Sequence, residues 1–306
     1  MSYFECNSIE AYIDNLKGLE VDATQISRGK FFCQRKSLSL PLLEINYWHV
    51  QTSILYYGGL AQDSFLISFP VSRKSQKVDG RVLGENSILA LLPDEERVVL
   101  HPDEVLSLDF LVNPLLFRYY FQWDNTDRLF NLIQSLQKKS ELSTQKQLQS
   151  KQLIDHTLNA IGNPNRLSDQ SMLDLRDSIL LKLFKFLDHS VKDTKNVNSK
   201  QRVVIAKRAL DYIHDNPQTK FTILELSNRC FCSLRTLEYA FRTILDITPK
   251  EYLIKRRLNS IKREIQIYDG KPINRIAMDY GVVNAGRFSR DYFQFFGEYP
   301  SETRGK

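Results

Sequence analysis

Residues 221–245 read FTILELSNRCFCSLRTLEYAFRTIL, and their spacing decides how the last third of the chain folds. Thr222 followed three residues later by Glu225 is the pattern of a capping box, opening a short helix with Leu224, Leu226 and Cys230 turned inward. After a brief turn, Ser233 is placed to cap a second helix that buries Leu234, Leu237 and Phe241. Two short helices joined by a tight turn form a helix-turn-helix unit.

The arrangement recurs downstream. Pro249 opens a long helix, EYLIKRRLNSIKREIQI, with Leu253, Leu258, Ile261 and Ile265 inward and its cations outward. About 17 helical residues span roughly 25 Å. That length can hold two recognition helices near the ~34 Å separation of consecutive major-groove faces. Ile273, Ile276 and Ala277 begin another short helix, and Gly281 supplies a left-handed turn position. Asn284 then caps a helix burying Phe288 and Tyr292, with Phe295 and Phe296 following. Upstream, Val203, Ala206, Ala209, Leu210 and Ile213 mark an amphipathic helix that Asn216-Pro217 stops.

Charge follows the same division. Residues 201–306 carry 19 Lys and Arg against 12 Asp and Glu, a net of +7. The remainder carries 23 against 24, a net of −1. A basic module beside a near-neutral one is the footprint of polyanion binding, although a solvated basic surface has the same composition.

Four segments resemble the AraC/XylS family of regulators in order and spacing. They are S-x-R-T-L-x-x-x-F (Ser233 to Phe241), P-x-x-Y-L-x-x-x-R-L (Pro249 to Leu258), I-x-x-I-A-x-x-x-G (Ile273 to Gly281) and RFSRDYFQFFGEYPS (Arg287 to Ser301). The resemblance covers about 100 contiguous residues and implies a seven-helix domain with two helix-turn-helix units on one long helix. One departure is Phe231, where a Gly is more usual in the first turn. For the part upstream, the resemblance implies a cupin-like or otherwise variable domain that senses a small molecule or mediates dimerisation.

That upstream part reads as β structure to about residue 125. FLISFPVS (65–72), SILALLP (87–93), RVVLHP (97–102) and VLSLDFLV (105–112) are strand candidates. Gly58-Gly59, Asp79-Gly80 and Pro93-Asp94 are turn candidates, and Ile9–Leu19 a helix candidate. Evenly spaced short strands suggest a small antiparallel barrel or sandwich, and the expected fold class is α+β, with a small β-barrel or cupin-like domain ahead of an all-α domain. From about Asp127 the period becomes helical, through Leu129, Ile133 and Leu136, then Leu148, Ile154, Leu158 and Ile161 up to Asn163-Pro164-Asn165. A third helix carries Leu173, Leu175, Ile179, Leu180, Leu183, Phe184 and Leu187. These helices cover either the open face of the barrel or their counterparts in a second subunit. The boundaries expected are a regulatory and dimerisation domain over 1–190, a polar linker over 191–201 and a DNA-binding domain over 202–306.

Arg235, Glu238 and Tyr239 lie on one exposed face of the first recognition helix. Arg suits guanine O6 and N7, Glu the cytosine amino group, and Tyr a thymine methyl or a phosphate. Glu238 has the alternative of pairing with a nearby cation. On the second helix, Arg287, Arg290 and Gln294 share the exposed side, and the resemblance puts base and phosphate contacts at such positions. Arg287 and Arg290 are the base readers expected, with Arg290 alternatively bracing the fold through Asp279. Thr222, Ser233, Arg242, Asn284 and Gln294 are the phosphate contacts expected. Lys255, Arg256, Lys262 and Arg263 either add phosphate contacts or form a solvated face.

Other chemistry is thinly supported. Cys230-x-Cys232 has no second metal-ligand pair nearby, and His49 and His101 lack paired spacing, so no metal or other cofactor is expected. There is no P-loop, Rossmann glycine pattern or G-x-S-x-G, and no enzymatic activity is expected. No apolar run approaches membrane-spanning length and no secretory leader opens the chain, so the expected location is the cytoplasm, with no membrane partner. The partners expected are double-stranded DNA, a small-molecule effector, RNA polymerase and a second copy of the chain.

Overall fold

The computed structural model describes residues 1–304 apart from 17, 62–63, 73, 85–86, 94, 117–141, 163–167, 188–199, 218–220 and 269. Eleven strands and ten helices are found among these residues. The six-stranded sheet runs β1 (Ser2–Cys6), β3 (Cys33–Leu40), β4 (Leu43–Val50), β11 (Val105–Val112), β6 (Phe65–Pro70) and β9 (Leu89–Leu91). The five-stranded sheet runs β2 (Leu19–Gln25), β5 (Ile54–Leu60), β10 (Arg97–His101), β7 (Gln76–Val78) and β8 (Arg81–Leu83). All of these pairings are antiparallel.

The two sheets share no strand, so of the barrel and sandwich forms expected for the β domain the structure takes the sandwich. Alternation along the strands explains this layout. On β11, Leu108, Phe110 and Val112 face one way, into a core with the helices, while Ser107, Asp109 and Leu111 face the other sheet. Trp48, Val50, Leu66 and Leu89 from one sheet meet Ala23, Tyr56 and Val99 from the other. The helix α1 (Ile9–Asp14) closes one end of that layer, ending five residues before the predicted Leu19, which instead begins β2.

The outer face of the six-stranded sheet is covered by α2 (Thr144–Gly162) and α3 (Asp169–Leu187). Ile179, Leu183 and Phe186 pack against Phe69 and Phe110, with ring centroids of Phe69 and Phe186 5.2 Å apart. The apolar stripe of α3 therefore has a core to fill within its own chain. Leu148 departs from expectation and is exposed, as is Leu181. Leu129, Ile133, Leu136 and the Asn163-Pro164-Asn165 break lie outside the described residues, as does most of the predicted linker.

Gly58-Gly59 is not a turn. Both residues lie inside β5, where Gly58 has a φ of +139° and a Cβ built on it would stand 2.2 Å from the carbonyl oxygen of Glu20 on β2. The dipeptide marks a close approach of two backbones, which a sequence-level reading does not separate from a turn. Asp79-Gly80 does join β7 to β8, as predicted.

The C-terminal part begins with α4 (Lys200–Asp215), which starts inside the predicted linker. Then follow α5 (Ile223–Arg229), α6 (Leu234–Leu245), α7 (Pro249–Ile267), α8 (Ile273–Asp279), α9 (Ala285–Phe296) and α10 (Pro300–Arg304). The first helix-turn-helix unit shares one apolar cluster with the sandwich: Ile205, Leu210, Phe241 and Ile244 pack with Ile26, Leu55, Tyr57 and Val98. The second unit has its own core, built on Ile261, Ile265, Ile276, Tyr292 and Phe296.

Substituting Gly58→Ala forces β2 and β5 apart or strains the backbone. A loss of about 2–4 kcal/mol is expected. Chemical denaturation of the full chain measures it, and an unchanged midpoint would contradict the close approach.

Candidate nucleic-acid interface

Capping sets where each short helix begins. Thr222 Oγ1 accepts from the Glu225 amide at 3.1 Å while Glu225 Oε2 accepts from the Thr222 amide at 2.6 Å, completing the predicted capping box. Ser233 Oγ accepts from the Thr236 amide at 3.2 Å and starts α6. In the second unit, Asn284 Oδ1 accepts from the Arg287 amide at 2.9 Å and starts α9, whereas Pro272 opens α8 with no side-chain cap. Thr222, Ser233 and Asn284 thus already have structural work at the helix N-termini where their phosphate contacts were expected.

The two turns have matching backbones on unlike residues. Gly281 has a φ of 81° and Phe231 a φ of 53°. The Phe231 amide donates to the Asn228 carbonyl at 3.1 Å, and the Gly281 amide donates to the Met278 carbonyl at 2.8 Å. Phe231 adopts the left-handed conformation despite its Cβ, with its ring almost wholly in solvent. The first turn thus keeps its form where glycine is absent. Cys230 beside it is buried, and burial pushes its thiol up to about 11.

Helical periodicity then sorts reading face from core. On α6, Leu237, Ala240, Phe241, Ile244 and Leu245 are buried, and Arg235, Glu238, Tyr239 and Arg242 are exposed. On α9, Phe288, Tyr292, Phe295 and Phe296 are buried, and Arg287, Arg290 and Gln294 are exposed. Leu224 and Leu234, predicted to point inward, are exposed as well. Leu224 lies about 200° around α5 from the buried Leu226, and Leu234 stands in the first turn of α6, past the edge of the core.

Two alternatives raised by the sequence find no support among the described residues. Glu238 makes no ion pair there. Asp279 is held by Lys271 at 2.8 Å and Arg275 at 3.8 Å, not by Arg290. Arg287 approaches Asp291 one turn along, at 3.7 Å. Sequence reasoning missed Arg202, whose guanidinium stacks 4.4 Å from the Tyr239 ring centroid and brings another cation to that face.

The linking helix α7 overturns one reading outright. Arg256 forms a two-pronged pair with Asp22 on β2, at 2.8 and 2.6 Å. Lys255 donates to the Ile26 carbonyl, and Asn259 donates to the Gln25 carbonyl at 3.3 Å. Lys262 is buried on Glu298, 3.1 Å away. Of the four cations offered as phosphate contacts, only Arg263 is exposed. The other three are used in packing, because the face of α7 that looked polar is covered by the sandwich and by the α9–α10 junction.

Lys262→Ala leaves the Glu298 carboxylate buried without its cation, at a cost of about 3 kcal/mol. Arg263→Ala changes stability by less than about 0.5 kcal/mol. Paired thermal and denaturant melts distinguish the two, and equal losses would refute the assignment.

Comparison with known proteins bears on this geometry. A family model described as a helix-turn-helix domain matches residues 226–306. The XylDLEGF operon transcriptional activator of Pseudomonas putida is 32% identical over 99 residues, covering 32% of this chain and 31% of that protein. The probable thc operon regulatory protein of Rhodococcus erythropolis is 29% identical over 100 residues, covering 32% and 30%. The match thus spans about a third of the length of these relatives. Among solved structures, the AraC-like transcriptional activator CuxR aligns over 86% of this chain and 96% of its own, at 15% identity and a TM-score of 0.45. Two helix-turn-helix units on one linking helix, within the span of the family match, make the last third of the chain a helix-turn-helix domain similar in sequence to the corresponding third of these transcriptional regulators.

Proposed function

We propose that this chain is a sequence-specific transcriptional regulator whose two recognition helices, α6 and α9, read adjacent major-groove segments of duplex DNA. The observation that carries the proposal is the pair of exposed faces on these helices, Arg235, Glu238, Tyr239 and Arg242 on one and Arg287, Arg290 and Gln294 on the other. Both helices pack against α7, whose 19 residues span about 28 Å. One rigid mount gives each reader its own groove segment. Arg235, Glu238, Tyr239, Arg287 and Arg290 are the base contacts in this reading. Thr222, Ser233, Arg242, Asn284 and Gln294 contact phosphate, the three caps doing so from helix N-termini where amide dipoles favour an anion.

The sandwich and its helices form the controlling domain, over about 1–190, with residues 191–201 as the connection. A small-molecule effector in the layer between the sheets has a mechanical route to the readers, because β2 and β5 form part of that layer and also hold α4 and α7. Exposed Leu148 and Leu181 on the covering helices offer apolar surface for a second copy of the chain. The matched P. putida protein is named an operon activator, and activation in turn requires contact with RNA polymerase. Such a protein acts where the DNA is, in the cytoplasm, and no helix among the described residues is long and apolar enough to cross a membrane. Enzymatic activity has no place in this reading.

Binding-site selection with the full chain tests it. Arg235→Ala and Arg287→Ala are each expected to weaken specific binding by about 1–3 kcal/mol and to relax preference at different base pairs, about one helical turn apart. Log affinity of the parent protein falls linearly with log salt, at about −0.9 per phosphate contact. Absence of salt-sensitive duplex binding would remove the proposal, and unchanged base preferences in Arg287→Ala would reduce α9 to a positioning element.

A further inference from the structure

Within the layer between the two sheets is a small cavity, about 60 Å³, walled by Tyr12, Trp48, Tyr56 and Leu91. A cavity so placed would ordinarily be lined by hydrocarbon alone. Here two ionisable side chains reach it from opposite sheets, Asp109 from β11 and His101 from β10. Each carries a polar atom shut off from solvent and without a hydrogen-bond partner: Oδ1 of Asp109 and Nδ1 of His101. The hydroxyls of Ser68 and Ser107 lie beside the Asp109 carboxyl and favour its charged form, yet leave that oxygen unmet. The Tyr12 and Tyr56 hydroxyls are already satisfied by each other, at 2.7 Å. Both Asp109 and His101 are half-buried and line the cavity.

An unmet acceptor and an unmet ring nitrogen in an apolar layer are costly, and packing does not explain them. Isoleucine or leucine at either position would fill the space without that cost. Burial raises the Asp109 carboxyl to about 6 and lowers the His101 imidazole to about 4. Near neutral pH the imidazole is therefore uncharged, and the carboxylate is the acceptor that a ligand cation satisfies. The remaining charged group at the wall, Arg97, is held by Asp79 and Glu95, both at 2.8 Å. That leaves a net negative, aromatic-walled site, and aromatic faces attract organic cations.

We propose that this cavity binds a small organic ammonium compound, its nitrogen on the Asp109 carboxylate and its apolar body against Tyr12, Trp48 and Tyr56. The inference rests on the reading of the sandwich as an effector domain and names the effector's chemical class. His101 offers its free ring nitrogen to a second polar group on the ligand, so that one small molecule ties the two sheets together. The charge of the ligand, more than its shape, is what the site selects.

Calorimetry and thermal melts of the full chain at pH 8 test this with matched probes. The pairs are propylamine with propan-1-ol and 2-phenylethylamine with 2-phenylethanol, and 3-phenylpropionate is the anionic control. At least one amine is expected to bind and raise the melting temperature, with its alcohol tenfold weaker or more and the carboxylate silent. Asp109→Asn is expected to lower amine affinity about 10–100-fold, the loss of a charge-assisted hydrogen bond. The same variant without ligand should melt no lower than the parent, because an amide replaces a desolvated charge. Equal binding of amine and alcohol, no binding by either amine, preference for the carboxylate, or full amine affinity in Asp109→Asn would each overturn the proposal. The wild-type comparison of amine with alcohol stands even if the variant does not fold. Duplex DNA binding, measured on the same preparation, keeps the two readings apart: normal DNA binding with no amine response removes only the ligand class.

Discussion

Helix α7 has to satisfy three neighbours at once, and that constraint organises the rest of the molecule. Tyr252 is buried in the core of the first helix-turn-helix unit, and Ile261 and Ile265 lie in the core of the second. Arg256 and Asn259 meet β2 of the sandwich. A helix with apolar contacts on two sides and ion pairs on a third cannot rotate or slide without breaking one of them. Its long side chains are committed accordingly. Removing Glu298 strands the buried Lys262, and removing Asp22 leaves the half-buried Arg256 without its two-pronged partner, so the pairs specify position even where their net contribution to stability is small.

The same docking reaches both α6 and α9 near their C-terminal ends, away from the capped N-termini. A Cβ built on Gly80 at the β7–β8 turn would collide with Ile244 of α6, and Lys77 pairs with Asp246 just beyond that helix. The amide of Gly29 donates to the Phe295 carbonyl of α9 at 2.9 Å. Both helices thus lean on the sandwich at one end and offer their N-terminal turns to solvent at the other. Contacts of defined geometry therefore join the sandwich to both helices.

Within the sandwich, the division of labour follows from strand alternation. One face of β11 supplies Leu108, Phe110 and Val112 to a dry core with α2 and α3, and the other supplies Ser107 and Asp109 to the inter-sheet layer. The helix-covered side is filled by aromatic and branched side chains and holds the domain together. Polar groups are concentrated on the other side, where Tyr12 and Tyr56 pair and Asp109 and His101 do not. Apolar packing and buried polar groups therefore use opposite faces of the same strand.

The sequence by itself determined the local order of the C-terminal part. Caps at Thr222, Ser233 and Asn284, a left-handed turn at Gly281 and buried positions at helical spacing each act over three or four residues, and apart from the exposed Leu224 and Leu234 they appear in the structure as read. The exposed faces of α6 and α9 followed from the same periodicity, and the Asp79-Gly80 turn from local backbone preference. Only tertiary structure decided whether the sheets closed, whether Gly58-Gly59 turned or packed, and which cations on α7 were free. It also brought Asp109 and His101 to one cavity from strands in different sheets. The physical reason is range: a cap or a helical face is set by neighbours along the chain, whereas the partner of Arg256 lies 234 residues away at Asp22, and no spacing within either segment announces the other.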